Sequence, residues 1–386
     1  RTVVPRLCEQ PLGGGDGSTR RRGSIPAART TLPAARTHRG DTVRGAGAGL
    51  ESDYFVGTAD AAAIEDVFDA MRRIQRQFLD DFGVNDIWSN SKIYEVLIAN
   101  ALGHRMIPGH SGSLDAADNE GNEYEYKHFK ESSSNHSWTF NDYSDTTIEK
   151  LRIRTHAVVF AHIEDTVWPG FLDWAYILPG ARVAEYLATH TVGMTNHRRM
   201  INVSARQIEE RTGFTRQVFA PRIEDGPFGA ELQQIFDLAK RLEALVGVAN
   251  ILTSNKFWEV LVSLPLGHRV NSEQGGRAGA HDAMCAEGKD YEYKVSKSRR
   301  WNFQDISPAV LDKYYGCEEI VLAIVDKTKI EVQEIWFADP ERVIALLRQK
   351  LEARKMKAAA EGKQLRRLHV SLSAGDVSKL EARRVV

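Results

Sequence analysis

Tyr124-Glu-Tyr-Lys127 is found again, letter for letter, at Tyr291-Glu-Tyr-Lys294. Outward from this string the agreement continues. Asn90-Ser-Lys-Ile-Tyr-Glu-Val-Leu97 answers to Ser254-Asn-Lys-Phe-Trp-Glu-Val-Leu261, Leu102-Gly-His-Arg105 to Leu266-Gly-His-Arg269, and Trp138-Thr-Phe-Asn-Asp142 to Trp301-Asn-Phe-Gln-Asp305. The offsets stay between 163 and 167 residues, too long for a solenoid repeat and about the length of a domain. The chain therefore reads as a tandem duplication: a tail over residues 1–50, one unit over 51–220 and a second over 221–386.

Each unit alternates helical and strand patterns. A helical stretch passes through Phe68-Asp-Ala-Met71 in the first copy and Phe236-Asp-Leu-Ala239 in the second. A second helix carries Ile93, Val96 and Leu97, matched by Phe257, Val260 and Leu261, at helical spacing. Gly103 and Gly267 stand where glycine ends a helix well. Glycine-rich turns follow, then strands near Asp115 and over 124–127, a helix over 147–151 or 309–314, and the apolar strands 157–161 and 320–325. Helices alternating with short apolar strands predict an α/β fold in which each unit has a mixed central sheet flanked by helices.

The chemistry concentrates in Asp115…Glu125-Tyr-Lys127 and Asp282…Glu292-Tyr-Lys294. Residues two apart on a strand share a face, so Glu125 and Lys127 project together while Tyr124 and Tyr126 turn the other way. An aspartate on a neighbouring strand completes an oxygen-rich site suited to Mg²⁺. The metal lowers the pKa of a bound water, and the lysine orients that water or stabilises developing charge. A lone Glu-x-Lys is ordinarily a solvated ion pair. Here the surroundings drifted, with Asp118 aligned to Cys285 and residues gained or lost ahead of Asp282, while Asp, Glu and Lys stayed in register.

These strings resemble the PD-(D/E)XK nuclease superfamily, whose best known members are the type II restriction endonucleases. The resemblance covers the core of each repeat and implies two tandem restriction-endonuclease-like domains. It further implies Mg²⁺ bound by Asp115, Glu125, Asp282 and Glu292, with Lys127 and Lys294 assisting the attacking water. A helix glutamate often joins the metal site in that family, a place matched by Glu95 and Glu259. Neither copy has the proline that precedes the aspartate there; Leu114 and His281 occupy it. His104 and His268 follow the helix-ending glycines, which favours a capping role over a general base.

Candidates for DNA contact lie between the lysine and the shared tryptophan. Lys130 in the first copy and Lys297, Arg299 and Arg300 in the second could hold phosphates or read guanine, and Asn302 or Gln304 could read adenine edges. Trp138, Phe140, Trp301 and Phe303 read as core. The two loops differ in length and charge, so the halves should contact DNA unequally. A rival reader, Val203 to Val218, has the look of a helix-turn-helix around Thr212-Gly213. Against it, Arg198 to Ser204 resembles Arg366 to Ser371, and a strand and helix closing each core would explain both.

The 386 residues carry 51 Lys and Arg against 52 Asp and Glu, a net charge of −1, which excludes binding to nucleic acid by bulk positive charge. The balance is uneven. Residues 1–49 hold nine Arg and three acids with no aromatic residue, residues 345–386 carry +7, and residues 51–344 carry −14. The first stretch has nothing large to bury and should be disordered; its Arg-rich, acid-poor makeup also fits a transit peptide, a fragment or an over-extended reading frame. Three scattered cysteines exclude a disulfide framework and a four-ligand zinc site. No apolar run reaches the roughly 18–20 residues of a membrane span. The expectation is a soluble, cytoplasmic, Mg²⁺-dependent, sequence-specific endonuclease acting on double-stranded DNA as a monomer, its two sites forming an internal pseudo-dimer. The alternatives are a nuclease with one active and one DNA-recognition repeat, or a non-cleaving DNA-binding regulator built on residues 203–218.

Overall fold

The computed structural model describes residues 58–88, 92–108, 114–194, 199–272, 281–304, 306–362 and 368–386. The Arg-rich tail and the glycine-rich turns expected around residues 109–113 and 273–280 lie outside the described residues. The first half runs α1 (Thr58–Phe82), α2 (Lys92–Leu102), β1 (Arg105–Met106), β2 (Ala116–Ala117), β3 (Glu123–Lys130), β4 (Trp138–Tyr143), α3 (Asp145–Arg154), β5 (Ala157–Glu164), β6 (Phe171–Pro179), α4 (Gly180–Thr191), β7 (Arg199–Val203), α5 (Ala205–Thr212) and β8 (Gln217–Val218). The second half repeats the series as α6 (Gly229–Val246), α7 (Lys256–Ser263), β9 (Arg269–Val270), β10 (Ala283–Met284), β11 (Asp290–Ser296), β12 (Arg300–Phe303), α8 (Pro308–Tyr314), β13 (Glu319–Asp326), β14 (Glu331–Ala338), α9 (Pro340–Ala360), β15 (Val370–Ser373), α10 (Ala374–Lys379) and β16 (Arg383–Arg384).

Two six-stranded mixed sheets result, β1-β2-β3-β5-β6-β8 and β9-β10-β11-β13-β14-β16, with matching strand order. In each, the Glu-x-Lys strand pairs in parallel with the apolar strand that follows the intervening helix, β3 with β5 and β11 with β13. The remaining pairings are antiparallel. β5 and β13 are buried along nearly their whole length, as expected of strands covered on both faces.

The aromatic pair of each half packs inward. Trp138, Phe140, Trp301 and Phe303 are fully buried, and the indole N–H groups of Trp138 and Trp301 donate to Ala161 O and Ala323 O at 2.8 and 2.9 Å. Small ladders, β4 with β7 and β12 with β15, carry these residues. Trp138 faces Val203 whereas Trp301 faces Leu372, so Ser204 corresponds to Ser373 and not to Ser371. The resemblance of 198–204 to 366–371 is therefore slipped by two residues, a shift that keeps every side chain on its face.

The segment 203–218 is not a helix-turn-helix. Ser204 caps α5, Gly213 closes it in the left-handed region at φ 68°, and the chain then enters β8, which pairs with β6. Strand pairing takes the residues that a second helix would need.

The halves share a core. Phe68 and Val96 of the first and Phe236 and Val260 of the second belong to one buried cluster. Phe257 meets Phe68 and Trp88, both at 5.5 Å between ring centroids. The turn of each central hairpin reaches the other half: Trp168 packs on Phe236 of α6, and Arg72 of α1 donates to Ile330 O at 3.1 Å. Such reciprocal contact is the pattern of an isologous interface, here formed within one chain.

Candidate active site

The Glu-x-Lys strands behave as their two-residue period dictates. Tyr126 and Tyr293 turn into the shared core, where their hydroxyls meet His104 Nδ1 and His268 Nδ1 at 2.8 and 2.9 Å. Burial lowers both imidazoles, that of His268 to about 4. The histidines follow Gly103 and Gly267, both at positive φ. Their backbone N–H groups close the preceding helices, donating to Ala99 O and Ser263 O at 2.9 and 3.1 Å, so the expected cap is present, and their rings add a tie to the tyrosine side of the strand.

On the other face Lys127 contacts Glu125, and Lys294 Nζ lies 2.7 Å from Glu292 Oε1. Each lysine also lies over an aromatic ring, Phe140 or Phe303, at 5.6 Å. Asp115 and Asp282 stand at the entrance to β2 and β10. Their Oδ2 atoms accept from Tyr126 N and Tyr293 N at 2.7 and 2.8 Å, which fixes each aspartate against the neighbouring strand. Glu95 and Glu259, in the first turns of α2 and α7, reach the same places, paired with Lys92 and Lys256.

The carboxylates of each set lie close enough to influence one another's charge. Burial, reinforced by Glu95 and Glu125, pushes the Asp115 carboxyl up to about 7. Burial, reinforced by Asp282, does the same to Glu259, and burial also raises Asp282. Glu292 goes the other way: burial opposes its charge, but Lys294, His281 and Lys313 outweigh that and hold it down to about 2. Burial likewise works against the charge on Lys127 and Lys294, yet their glutamates keep both ammoniums above the ordinary lysine range.

The donor set is suited to a hard divalent cation, being all oxygen and mutually repulsive. Glu259 Oε2 and Glu292 Oε2 are buried without a well-aligned hydrogen bond, although the Lys256 and Lys313 ammoniums stand 2.7 and 3.2 Å away. Among the described residues no three His, Cys, Asp or Glu side chains converge in metal-holding geometry.

Both clusters border clefts. One, of about 540 Å³, is lined by Glu95, Lys127 and Lys130 together with Ser137, Thr139 and Asn141; Asp115 and Glu125 lie outside that lining. The other, of about 770 Å³, takes in Glu259, Asp282, Glu292 and Lys294 with Arg300, Asn302 and Gln304. Of the residues expected to touch DNA, Lys130, Arg300, Asn302 and Gln304 thus stand beside a cluster. Lys297 and Arg299 do not line either cleft; Arg299 is turned onto Glu334.

Residues 59–171 match the family model for restriction endonuclease PvuII. The PvuII match runs from α1 into β6 and takes in Glu95, Asp115, Glu125, Lys127 and Lys130. It supports a restriction-endonuclease-like fold and nuclease activity with DNA as substrate for this stretch, which is less than half of the chain. No curated protein matches the chain. Among the described residues no helix is long and apolar enough to cross a membrane.

Sequence reading missed several groups that touch the clusters. Lys92 and Lys256 were visible as a conserved pair of the internal repeat. Tyr143, whose hydroxyl lies 3.4 Å from Glu125 Oε1, and Tyr314, whose ring sits 5.5 Å from Lys294 Nζ, arrive from non-equivalent positions, so self-comparison gives no signal for them.

Proposed function

We propose that the chain is a Mg²⁺-dependent type II restriction-like endonuclease in which two nuclease-like repeats, 51–220 and 221–386, each supply an active site for one strand of a DNA duplex. It acts as a cytoplasmic monomer that is an internal pseudo-dimer. The observation that carries this reading is the same Asp, Glu and Lys constellation in the same register on two sheets of matching order.

Asp115 and Glu125, with Glu95, would hold the cation in one half, and Asp282 and Glu292, with Glu259, in the other. Bound there, the cation supplies an activated water and screens the phosphate. Lys127 and Lys294, kept protonated by their glutamates, act as fixed positive charges that orient the water and stabilise the pentavalent phosphate, and do not serve as bases. Asp115 and Asp282, each tied to a backbone N–H, keep the carboxylates in position. Lys130, Arg300, Asn302 and Gln304 contact the duplex, unequally in the two halves. The regulator built on residues 203–218 loses its structural basis with the missing second helix.

A supercoiled plasmid assay tests the proposal. Linear product is expected from unmodified DNA in Mg²⁺ or Mn²⁺, and none in excess EDTA. Failure to cut any unmodified DNA in either metal would sink it.

A further inference from the structure

The two clusters coincide in their defining residues and differ in what else touches them. In the first half three carboxylates, Glu95, Asp115 and Glu125, are met by two ammoniums, Lys92 and Lys127. In the second half three carboxylates, Glu259, Asp282 and Glu292, are met by three, Lys256, Lys294 and Lys313. Lys313 comes from α8, and its Nζ stands 3.2 Å from Glu292 Oε2 while Lys294 takes Oε1 at 2.7 Å. Both oxygens of Glu292 are therefore engaged by ammoniums. His281 Nδ1 lies 3.6 Å from the same Oε2.

The first half fills the corresponding space differently. Tyr143, a neutral phenol, sits beside Glu125; the aligned residue of the second half is Ile306, and the phenol there, Tyr314, comes from α8 and lies against Lys294. Lys150 follows the capping Ser144 by the same interval at which Lys313 follows the capping Ser307, but Lys150 is exposed to solvent, and Lys313 is not.

We propose that Lys313 is a built-in counter-ion that lowers the divalent-cation affinity of the second site, so that the first site loads first and the two DNA strands are cut in a fixed order. The proposal rests on the nuclease reading. A cation entering the second site must displace an ammonium already held by Glu292, whereas among the described residues Glu125 is met by one ammonium, Lys127, and Glu292 by two, Lys294 and Lys313. Displacing one partly buried ion pair of this kind weakens binding by about tenfold or more.

Mn²⁺ titration of the DNA-free protein, followed by the electron paramagnetic resonance signal of free Mn²⁺, reads this directly. The wild type should show two classes of site differing by about tenfold. Lys313→Met, which keeps the aliphatic stem, should tighten the weaker class until the two converge, and Lys150→Met should change neither. Lys313→Gln serves the same purpose if the methionine variant does not fold. Two equal classes in the wild type, or a weaker class untouched by either Lys313 variant, overturn the proposal and leave the nuclease reading standing. No Mn²⁺ binding at either site would remove both. On plasmid, a nicked intermediate always broken in the same strand supports the order, and nicks distributed equally between strands contradict it.

Discussion

The two halves agree in their strands and disagree in their helices and turns. β3 and β11 place glutamate and lysine on one face and tyrosines on the other, and pair with β5 and β13 in the same register. By contrast α3 has 10 residues and α8 has 7, and α4 has 12 against 21 in α9. A strand cannot shift by one residue without sending its carboxylate into the core. A surface helix can gain turns at little cost. Register is thus what the proposed chemistry constrains, and the surrounding elements are where the halves became different.

If the halves are two sites of one enzyme, the largest effect comes from removing both lysines. Lys127→Ala with Lys294→Ala should lower plasmid cleavage by at least ~10³-fold, whereas each single variant should convert linearisation into nicking. A single variant that abolishes both cuts would reduce the comparison to one working site beside a recognition domain. Next in size is the shared core. Phe257→Ala empties a space lined by Phe68 and Trp88 of the other half and should cost about 3–5 kcal/mol in denaturant unfolding. Unfolding should stay a single transition; two resolved transitions would mean that the halves are energetically independent.

A smaller effect separates the acidic clusters by pH. Asp115 ordinarily ionises near 3.8 and in the fold only near 7. Its contribution to stability is therefore complete below about pH 4 and lost as the pH rises through 7. In EDTA, Asp115→Asn should match the wild type at about pH 4 or below and exceed it by roughly 2–4 kcal/mol at pH 8, measured by thermal or urea unfolding. Glu292→Gln should show the reverse sign. Its carboxyl is held near 2, so the wild-type advantage is present above the ordinary value of 4.5 and disappears as the pH falls through 2. The smallest change is expected at the exposed Arg299–Glu334 pair: Arg299→Gln should alter stability by no more than ~1 kcal/mol and leave cleavage intact, because Arg299 stands apart from the cleft.

Much of this was legible in sequence because it is local or duplicated. Glu125, Lys127, Glu292 and Lys294 follow from the period of a strand, the helix glutamates from matched helical strings, and the burial of Trp138 and Trp301 from their recurrence beside Phe140 and Phe303. What escaped depends on distant parts of the chain. The helix-turn-helix reading of 203–218 fails because β8 finds a partner in β6. The closing strands were aligned two residues out of step because such a slip preserves the side-chain faces. Lys313 approaches Glu292 from a helix whose length and placement no internal comparison fixes.

The core that runs continuously through both halves has a genetic consequence. In an assembly of two identical chains every substitution is inherited twice, and a change that tunes one active site must be tolerable in the other. One chain with one core keeps the two acidic clusters at a fixed mutual geometry while letting a mutation fall on only one of them. A lysine can then be recruited against Glu292 without being imposed on Glu125, and, if both clusters are active sites as proposed, the loss of either alone would still leave an enzyme that nicks.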